Sequence, residues 1–391
     1  MKKFDVIVVG VGSMGSSACY YLSKNGMRVL GLERQSIPHD KGSYTGKTRI
    51  FRKAYFENNK YVPLLNSAHE NWMALESMFN QKLIEFTGLL YAGLPNSDLL
   101  NGVIGSSKKY DLGVETITNE DQKKRYPQLN IPEQFDILLE KEAGFVYADK
   151  AVQLLTEKAI EEGAEIHEKE SFIKWESSKE GCLKVLTDRD SYHCEKLVFT
   201  SGSWTYKLVP NMKLDITKQI LYWADAVNKM DYFKDRFPCW IIDEPSIEGS
   251  YYGFPIVDES NDQLLNQLKF GHHVKGSSID PDQHVQKEYQ EIDNLTVDQI
   301  VGCFSNLKYS NIQTKSCMYS YSADNDFYLD FLNQDKSIVV AAGFSGHGFK
   351  FVPVIGEIIT DLIKKGITNH DIGFLSMSRL CLLYTSDAAD D

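Results

Sequence analysis

The sequence predicts an α/β fold: an α+β chain of two domains, in which a Rossmann-like nucleotide-binding domain carries an inserted, mostly antiparallel, sheet-rich domain. Three observations predict it: a β-α-β unit at the N-terminus, two later repeats of its strand-then-glycine theme, and intervening stretches of another character. In the first unit, residues 4–9 are a short β-branched apolar run ending in glycine, as expected of a parallel strand buried on both faces. Residues 16–25 read as a helix stopped by Gly26, and 27–32 as a second strand closed by Glu33. Residues 196–200 lead into Ser201-Gly202-Ser203-Trp204. Residues 337–342 lead into Gly343-Phe344-Ser345-Gly346-His347-Gly348 and an apolar helix at about 351–363. Segments 85–140 and 216–318 are richer in polar turns and aromatic strands, such as Tyr251-Tyr252-Gly253-Phe254-Pro255. The expected nucleotide-binding domain is therefore discontinuous, 1–84, 141–215 and 319–379, and the substrate domain comprises 85–140 and 216–318.

The bulk properties narrow the function. A chain of 391 residues exceeds what one hydrophobic core usually organises, which agrees with two domains. Lys plus Arg is 42 and Asp plus Glu is 54, a net charge of −12 that repels phosphate backbones and argues against a nucleic-acid partner. A small anion is not excluded, because a few buried cations set the field inside a pocket. The seven cysteines are scattered without C-x-x-C spacing, which points to reduced thiols and an intracellular setting. No stretch is apolar for long enough to span a bilayer, and no H-E-x-x-H or cysteine cluster suggests a metal, so neither membrane nor metal is expected.

Gly10-Val11-Gly12-Ser13-Met14-Gly15 is G-x-G-x-x-G between a strand and a helix. Gly10 allows the tight turn, Gly12 lets backbone approach a pyrophosphate, and Gly15 permits close helix–strand packing. Ser13 and Met14 open the helix, whose free N–H groups and partial positive charge suit phosphates. Glu33 ends the second strand, eighteen residues beyond Gly15, where a carboxylate can accept from ribose hydroxyls, and Arg34 follows it. These residues predict a dinucleotide site and do not choose between a flavin and a nicotinamide.

The choice comes from a resemblance. Gly42-Ser43-Tyr44-Thr45-Gly46-Lys47-Thr48-Arg49-Ile50-Phe51-Arg52-Lys53-Ala54-Tyr55, Ser316-Cys317-Met318-Tyr319 and Gly343 through Lys350 resemble, in order, motifs of one family. This is the monomeric sarcosine oxidase and N-methyltryptophan oxidase family of FAD-dependent amine oxidoreductases. The resemblance runs from about residue 4 to 379, and Arg52-Lys53-Ala54-Tyr55, Ser316-Cys317-Met318-Tyr319 and His272-His273 look most similar to peroxisomal sarcosine/pipecolate oxidases. It implies a monomeric flavoprotein oxidase of small secondary amino acids: a sarcosine-like N-methyl amino acid, L-pipecolate or L-proline. The C–N bond would be oxidised to an imine that hydrolyses, with O₂ reduced to hydrogen peroxide.

The resemblance also assigns roles. Cys317 would carry FAD through a covalent thioether, although a lone cysteine is more often a small buried hydrophobe. Arg49 would lie by the flavin, with Ser43 and Thr48 of the same loop. Arg52 and Lys350 would grip the substrate carboxylate, for which a planar guanidinium fork is well shaped. Gly343, Gly346, Gly348 and Phe349 would form a turn that aims N–H groups at the flavin pyrimidine ring, where charge develops on reduction. Lys269 would activate oxygen, against the plainer reading of a strand-edge lysine. His273, Tyr252 and Tyr319 would surround the substrate.

Two positions depart from the family: Thr45 stands where histidine is usual, and Lys47 where an acid or amide is usual. Both bear on how efficiently the flavin is attached. Residues 380–391 do not continue the family's ending and resemble a translated sequencing adapter, so a peroxisomal address of the S-K-L type would be lost and the compartment, peroxisomal or cytoplasmic, stays open. Competing readings are an amine dehydrogenase using an electron carrier, a nicotinamide-dependent dehydrogenase, and a catalytically inactive flavoprotein.

Overall fold

The computed structural model describes residues 2–177, 182–259, 261–284, 294–305 and 307–379. The tail read as non-native, 380–391, lies outside them.

Strand β1 (Lys3–Val9) pairs in parallel with β2 (Val29–Glu33) on one side and with Ser191–Phe199 on the other. Glu165–Glu168 extends the sheet beyond β2, and Ile338–Ala342 pairs in parallel with the end of Ser191–Phe199. An antiparallel hairpin, Phe172–Ser177 and Leu183–Thr187, and the strand Tyr328–Phe331 complete eight strands. The continuous apolar run of β1 follows from burial on both faces: Val6 and Val8 pack into one core, Phe4, Ile7 and Val9 into another. Helix α1 (Ser13–Lys24) packs against the helices Ala148–Glu161 and Val352–Lys365. It begins three residues earlier than the sequence suggests, at the glycine turn itself, and Gly26 follows its C-cap with φ +78°.

The second sheet also has eight strands, ordered Tyr309–Tyr321, Asp215–Ala226, Leu268–His273, Ser250–Phe254, Cys239–Asp243, Leu89–Gly93, Asp136–Glu140 and Glu115–Ile117. Every neighbouring pair is antiparallel except Cys239–Asp243 with Leu89–Gly93. The expected cuts at 215/216 and 318/319 fall inside two strands that pair with each other through Asp215↔Tyr321, because one long antiparallel pair carries the chain between the two sheets. The segment read as sheet-rich also holds a helix, Asp98–Tyr110, capped by Ser97 and closed by Asp111 in the left-handed region. A small third sheet, Thr48–Phe51 with Gly144–Tyr147 and Ile84–Glu85, places the strand that bears Arg49. Among the described residues no helix is long and apolar enough to cross a membrane.

Candidate active site and cofactor cavity

A cavity of about 600 Å³ opens over the C-terminal ends of β1 and β2. This is where open parallel sheets bind ligands. Its floor is the glycine loop. A Cβ on Gly15 would lie 1.8 Å from the carbonyl oxygen of Gly10, and one on Gly10 (φ +91°) 2.7 Å from Cα of Ser201. Gly12 behaves differently: a Cβ there meets nothing closer than 3.6 Å, so its face is open to the cavity. The two packing glycines thus fix the loop, and the third leaves backbone exposed to a ligand. Helix α1 has no side-chain cap and no acid in its first turn. Its N–H groups remain available to an anion.

Glu33, 5% exposed, accepts from Val11 N–H (3.0 Å) and Gln35 N–H (2.9 Å) and lines the cavity. Burial raises its pKa against those backbone bonds. Arg34 lies over the Trp204 ring (5.0 Å) and pairs with Asp282 (3.0 Å) at the mouth. Ser13, Met14, Ser43, Gly343, Gly346, Gly348 and Phe349 also line this space. The size, the open glycine and the uncapped helix fit a dinucleotide such as FAD.

A second chamber, about 80 Å³, adjoins the first, and Arg49, Tyr319, Gly346 and Phe349 are walls common to both. One face of the second sheet supplies its far side. Ser250, Tyr252 and Phe254 alternate along one strand, Lys269 and His273 along the next, all directed into the chamber. Lys269 stands on an interior strand, 3% exposed, so it is no edge lysine. Its Nζ donates to the carbonyls of Gly46 (2.7 Å) and Thr48 (2.7 Å) and to Thr48 Oγ1 (3.2 Å), and lies 4.3 Å from the Phe254 ring centroid. Three acceptors suit the three hydrogens of an ammonium, while burial, then Arg49, press its pKa well down.

Arg49 is half-buried, and carbonyl oxygens hold it: Thr48 (2.8 Å), Ser43 (2.7 Å) and Thr45 (2.6 Å). Thr45 thus contributes its carbonyl to the turn that holds Arg49, and Lys47 lies in the same turn. Lys47 adopts φ +71° and ties the turn to Asp262 (2.8 Å) and Asp149 (3.6 Å). Cys317, 1% exposed, packs with Leu221, Trp223 and Tyr319 beside this turn. Burial pushes its thiol up, and Arg49 and Lys269 act in the opposite sense.

Arg52 is 3% exposed and its guanidinium lies over the rings of Tyr55 (4.4 Å) and Phe56 (4.1 Å). It donates to Ala54 O (3.2 Å) and to both oxygens of Glu57, one at 2.6 Å. Burial alone would raise the Glu57 carboxyl, but Arg52, His347 and Lys350 outweigh it and hold the group at about 2. Lys350 is 5% exposed, donates to His347 O (2.8 Å) and lies 5.0 Å from the Tyr55 centroid. Burial and Arg52 bring it down to about 7. Burial also leaves His273 at about 4 and His347 at about 3, both neutral imidazoles near pH 7. Tyr252 and Tyr319 are pushed up, chiefly by burial. The structure thus gathers Arg49, Arg52, Tyr252, Lys269, His273, Tyr319 and Lys350 in one chamber. Thr48 supports it from behind through Lys269, Gly15 packs in the glycine loop of the larger cavity, and Cys317 lies in the adjoining packed cluster.

Sequence reasoning missed Glu57, His347, Phe56 and Ile241 in the chamber, and His39, Tyr44 and Trp204 in the larger cavity. Glu57 carried a usable signal: an acid five positions after an arginine assigned to a pocket. His347 lay inside a turn read only for its glycines.

Residues 5–362 match the family described as FAD dependent oxidoreductase. Monomeric sarcosine oxidase of Streptomyces avermitilis is 34% identical, with 96% of this chain and 98% of that protein covered. The monomeric sarcosine oxidase of Bacillus sp. is 32% identical (97% of each), and N-methyl-L-tryptophan oxidase of Yersinia pestis 31% (96% and 99%). Among solved structures, L-proline dehydrogenase from P. horikoshii superposes with a TM-score of 0.83 at 18% identity (97% and 98% covered). Glycine oxidase from Geobacillus kaustophilus gives 0.80 at 17% (97% and 99%). At such identities these two speak for the fold alone. With its glycine loop, its two eight-stranded sheets and matches over nearly its whole length, the chain belongs to the FAD-dependent oxidoreductase family, alongside the monomeric sarcosine and N-methyltryptophan oxidases.

Proposed function

We propose that this chain is an FAD-dependent oxidase of small secondary amino acids, with the flavin joined to Cys317. The observation that carries the proposal is the junction of two spaces: a dinucleotide-sized cavity shares walls with a small chamber where Arg52 and Lys350 converge. Arg52 has more donors than its three present contacts use, and so can take a substrate carboxylate beside Glu57. Lys350 supplies the second cation. A chamber of about 80 Å³ suits sarcosine, and L-pipecolate or L-proline next, better than an amino acid bearing an indole.

Bound FAD would supply a two-electron acceptor that O₂ reoxidises with release of hydrogen peroxide. The chain's own part is placement and field. Four basic side chains, Arg49, Arg52, Lys269 and Lys350, line the chamber with the carboxylate of Glu57. Such surroundings disfavour an ammonium, so the substrate nitrogen is held unprotonated with its lone pair free to assist loss of a hydrogen from an adjoining carbon, the N-methyl carbon in sarcosine. Lys269, fixed by carbonyls, would stabilise the negative charge that develops on oxygen. His273, Tyr252 and Tyr319 would bound the substrate. The imine formed then hydrolyses, giving glycine and formaldehyde from sarcosine. A monomer and the domain limits given above belong to the same proposal.

Anaerobic titration with sarcosine, L-pipecolate, L-proline and N-methyl-L-tryptophan, followed by flavin absorbance, tests this reading. Bleaching by sarcosine or a cyclic imino acid is expected, and no bleaching by any of them would refute it. Peroxide formed under air separates an oxidase from a dehydrogenase that needs a carrier.

A further inference from the structure

Glu140 ends the strand Asp136–Glu140 and is 1% exposed. One oxygen accepts the N–H groups of Lys53 (2.7 Å) and Ala54 (3.2 Å), and the other accepts the hydroxyl of Tyr91 (2.7 Å). It stands outside the chamber wall and takes no part in the steps above. Burial raises the Glu140 carboxyl, while the Lys53, Ala54 and Tyr91 donors and Arg52 favour its anion, a costly group to bury unless it serves nearby charge. The N–H groups it holds belong to the turn that presents Arg52 and Tyr55. Arg52 itself donates to Ala54 O (3.2 Å), and Lys350 lies over Tyr55.

We propose that Glu140 is a positioning residue for the substrate-carboxylate seat: it anchors the 52–55 turn through the backbone and balances, from behind the wall, the paired charges of Arg52 and Lys350. The inference rests on reading Arg52 and Lys350 as that seat. The charged and titratable groups facing Lys350 are Arg52, Tyr55, Glu57, Glu140, His273 and His347. With both imidazoles neutral, two cations stand against two carboxylates. Glu140 and Glu57 favour the charged form of Lys350, while burial and Arg52 oppose it. Removing the Glu140 charge therefore lets Lys350 lose its proton at lower pH.

The test measures propionate binding to the full-length flavoprotein by perturbation of flavin absorbance, from pH 6 to 9, with the melting temperature recorded beside it. Wild-type binding is expected to weaken as pH rises past about 7, the value for Lys350. In Glu140→Gln the midpoint moves to lower pH, so binding at pH 7 falls by about threefold to tenfold while binding at pH 6 changes by less than about threefold. Glu140→Asp keeps the charge and moves the midpoint back toward wild type. A wild-type midpoint in Glu140→Gln overturns the proposal even if the variant melts earlier, because a purely structural loss would weaken binding equally at every pH. If Glu140→Gln does not fold, Glu140→Asp measured alone draws the carboxylate back by one methylene and is expected to move the midpoint slightly in the same direction; an unmoved midpoint there also overturns it. Arg52→Met separates the two readings. Its loss of propionate binding at every pH upholds the seat, whereas wild-type binding would remove the seat and the role of Glu140 with it.

Discussion

The larger cavity and the chamber beside it are walled by different parts of the chain. Around the cavity the decisive groups are backbone: the glycine loop, the uncapped start of α1 and the turn 343–348. Around the chamber they are side chains, brought from the segments near residues 50, 250, 270, 320 and 350, each carrying its own charge or ring. A backbone-lined space tolerates change in most side chains but not in its glycines. A charge-lined space depends on every partner, since one missing charge leaves another buried and unpaired. Mutations should therefore separate along this line: some affect holding the cofactor, others affect reading the substrate.

Cys317 packs with Tyr319, a wall common to both spaces, and its replacement should give the largest effect. Acid-precipitated wild-type protein should stay yellow, and Cys317→Ser should release all its flavin to the supernatant. Colour wholly in the wild-type supernatant would rule out the tether and leave the two spaces joined only by shared walls. Arg52→Met comes next. It removes a charge-assisted grip and strands Glu57, so kcat/KM for sarcosine should fall by about 100-fold or more, while the bound-flavin spectrum should change little. Equal damage to flavin binding would mean that the chamber and the cavity are one cooperative unit.

Lys269→Met should divide the catalytic cycle. Reoxidation by O₂ is expected to slow by about 100-fold and anaerobic reduction by sarcosine by less than about tenfold, the scale for losing one preorganised electrostatic group. Stopped-flow traces of the two half-reactions measure this directly. Comparable slowing of both would assign Lys269 to holding the 46–48 turn through its three hydrogen bonds rather than to oxygen.

The same contrast explains what can be read from the sequence. A backbone requirement shows as glycine at fixed spacing, so Gly10, Gly12 and Gly15 are legible in the amino-acid order alone, as are β1, α1 and β2. Gly346 belongs to the same class: at φ +80°, a Cβ would land 2.4 Å from the Tyr319 ring. A charge requirement leaves no such spacing. Glu57 meets Arg52 five positions away, but His347 and Glu140 meet Tyr55 and Tyr91 only through the tertiary fold. Ile241 and Phe254 look like ordinary strand residues until the pleat directs them into the chamber. The helix Asp98–Tyr110 is hidden for a different reason. Its start rests on one serine cap and its end on an aspartate in the left-handed region, weak marks within a stretch whose neighbours are strands. Lys269, Arg52 and Cys317 stand out only through family motifs, since each residue alone is commonplace.

The smallest expected effect concerns Glu57, and it probes whether the chamber's charges stabilise the fold as well as serve a substrate. Its folded-state value of about 2 lies below the ordinary 4.5 of an exposed carboxyl, because Arg52, His347 and Lys350 overcome the effect of burial. A depressed carboxyl contributes stability that is fully present above pH 4.5 and is lost as pH falls through 2. In Glu57→Gln that contribution is absent at every pH. The wild type should therefore melt higher than the variant by a constant margin above about pH 5, and the two curves should converge between pH 4.5 and 2. Melting followed by far-ultraviolet circular dichroism across that range gives the margin directly. A margin unchanged down to pH 2 would mean that Glu57 stabilises the turn by shape and hydrogen bonding rather than by charge. The chamber's cations would then owe their balance to Glu140 alone, which would strengthen the pH shift expected of Glu140→Gln.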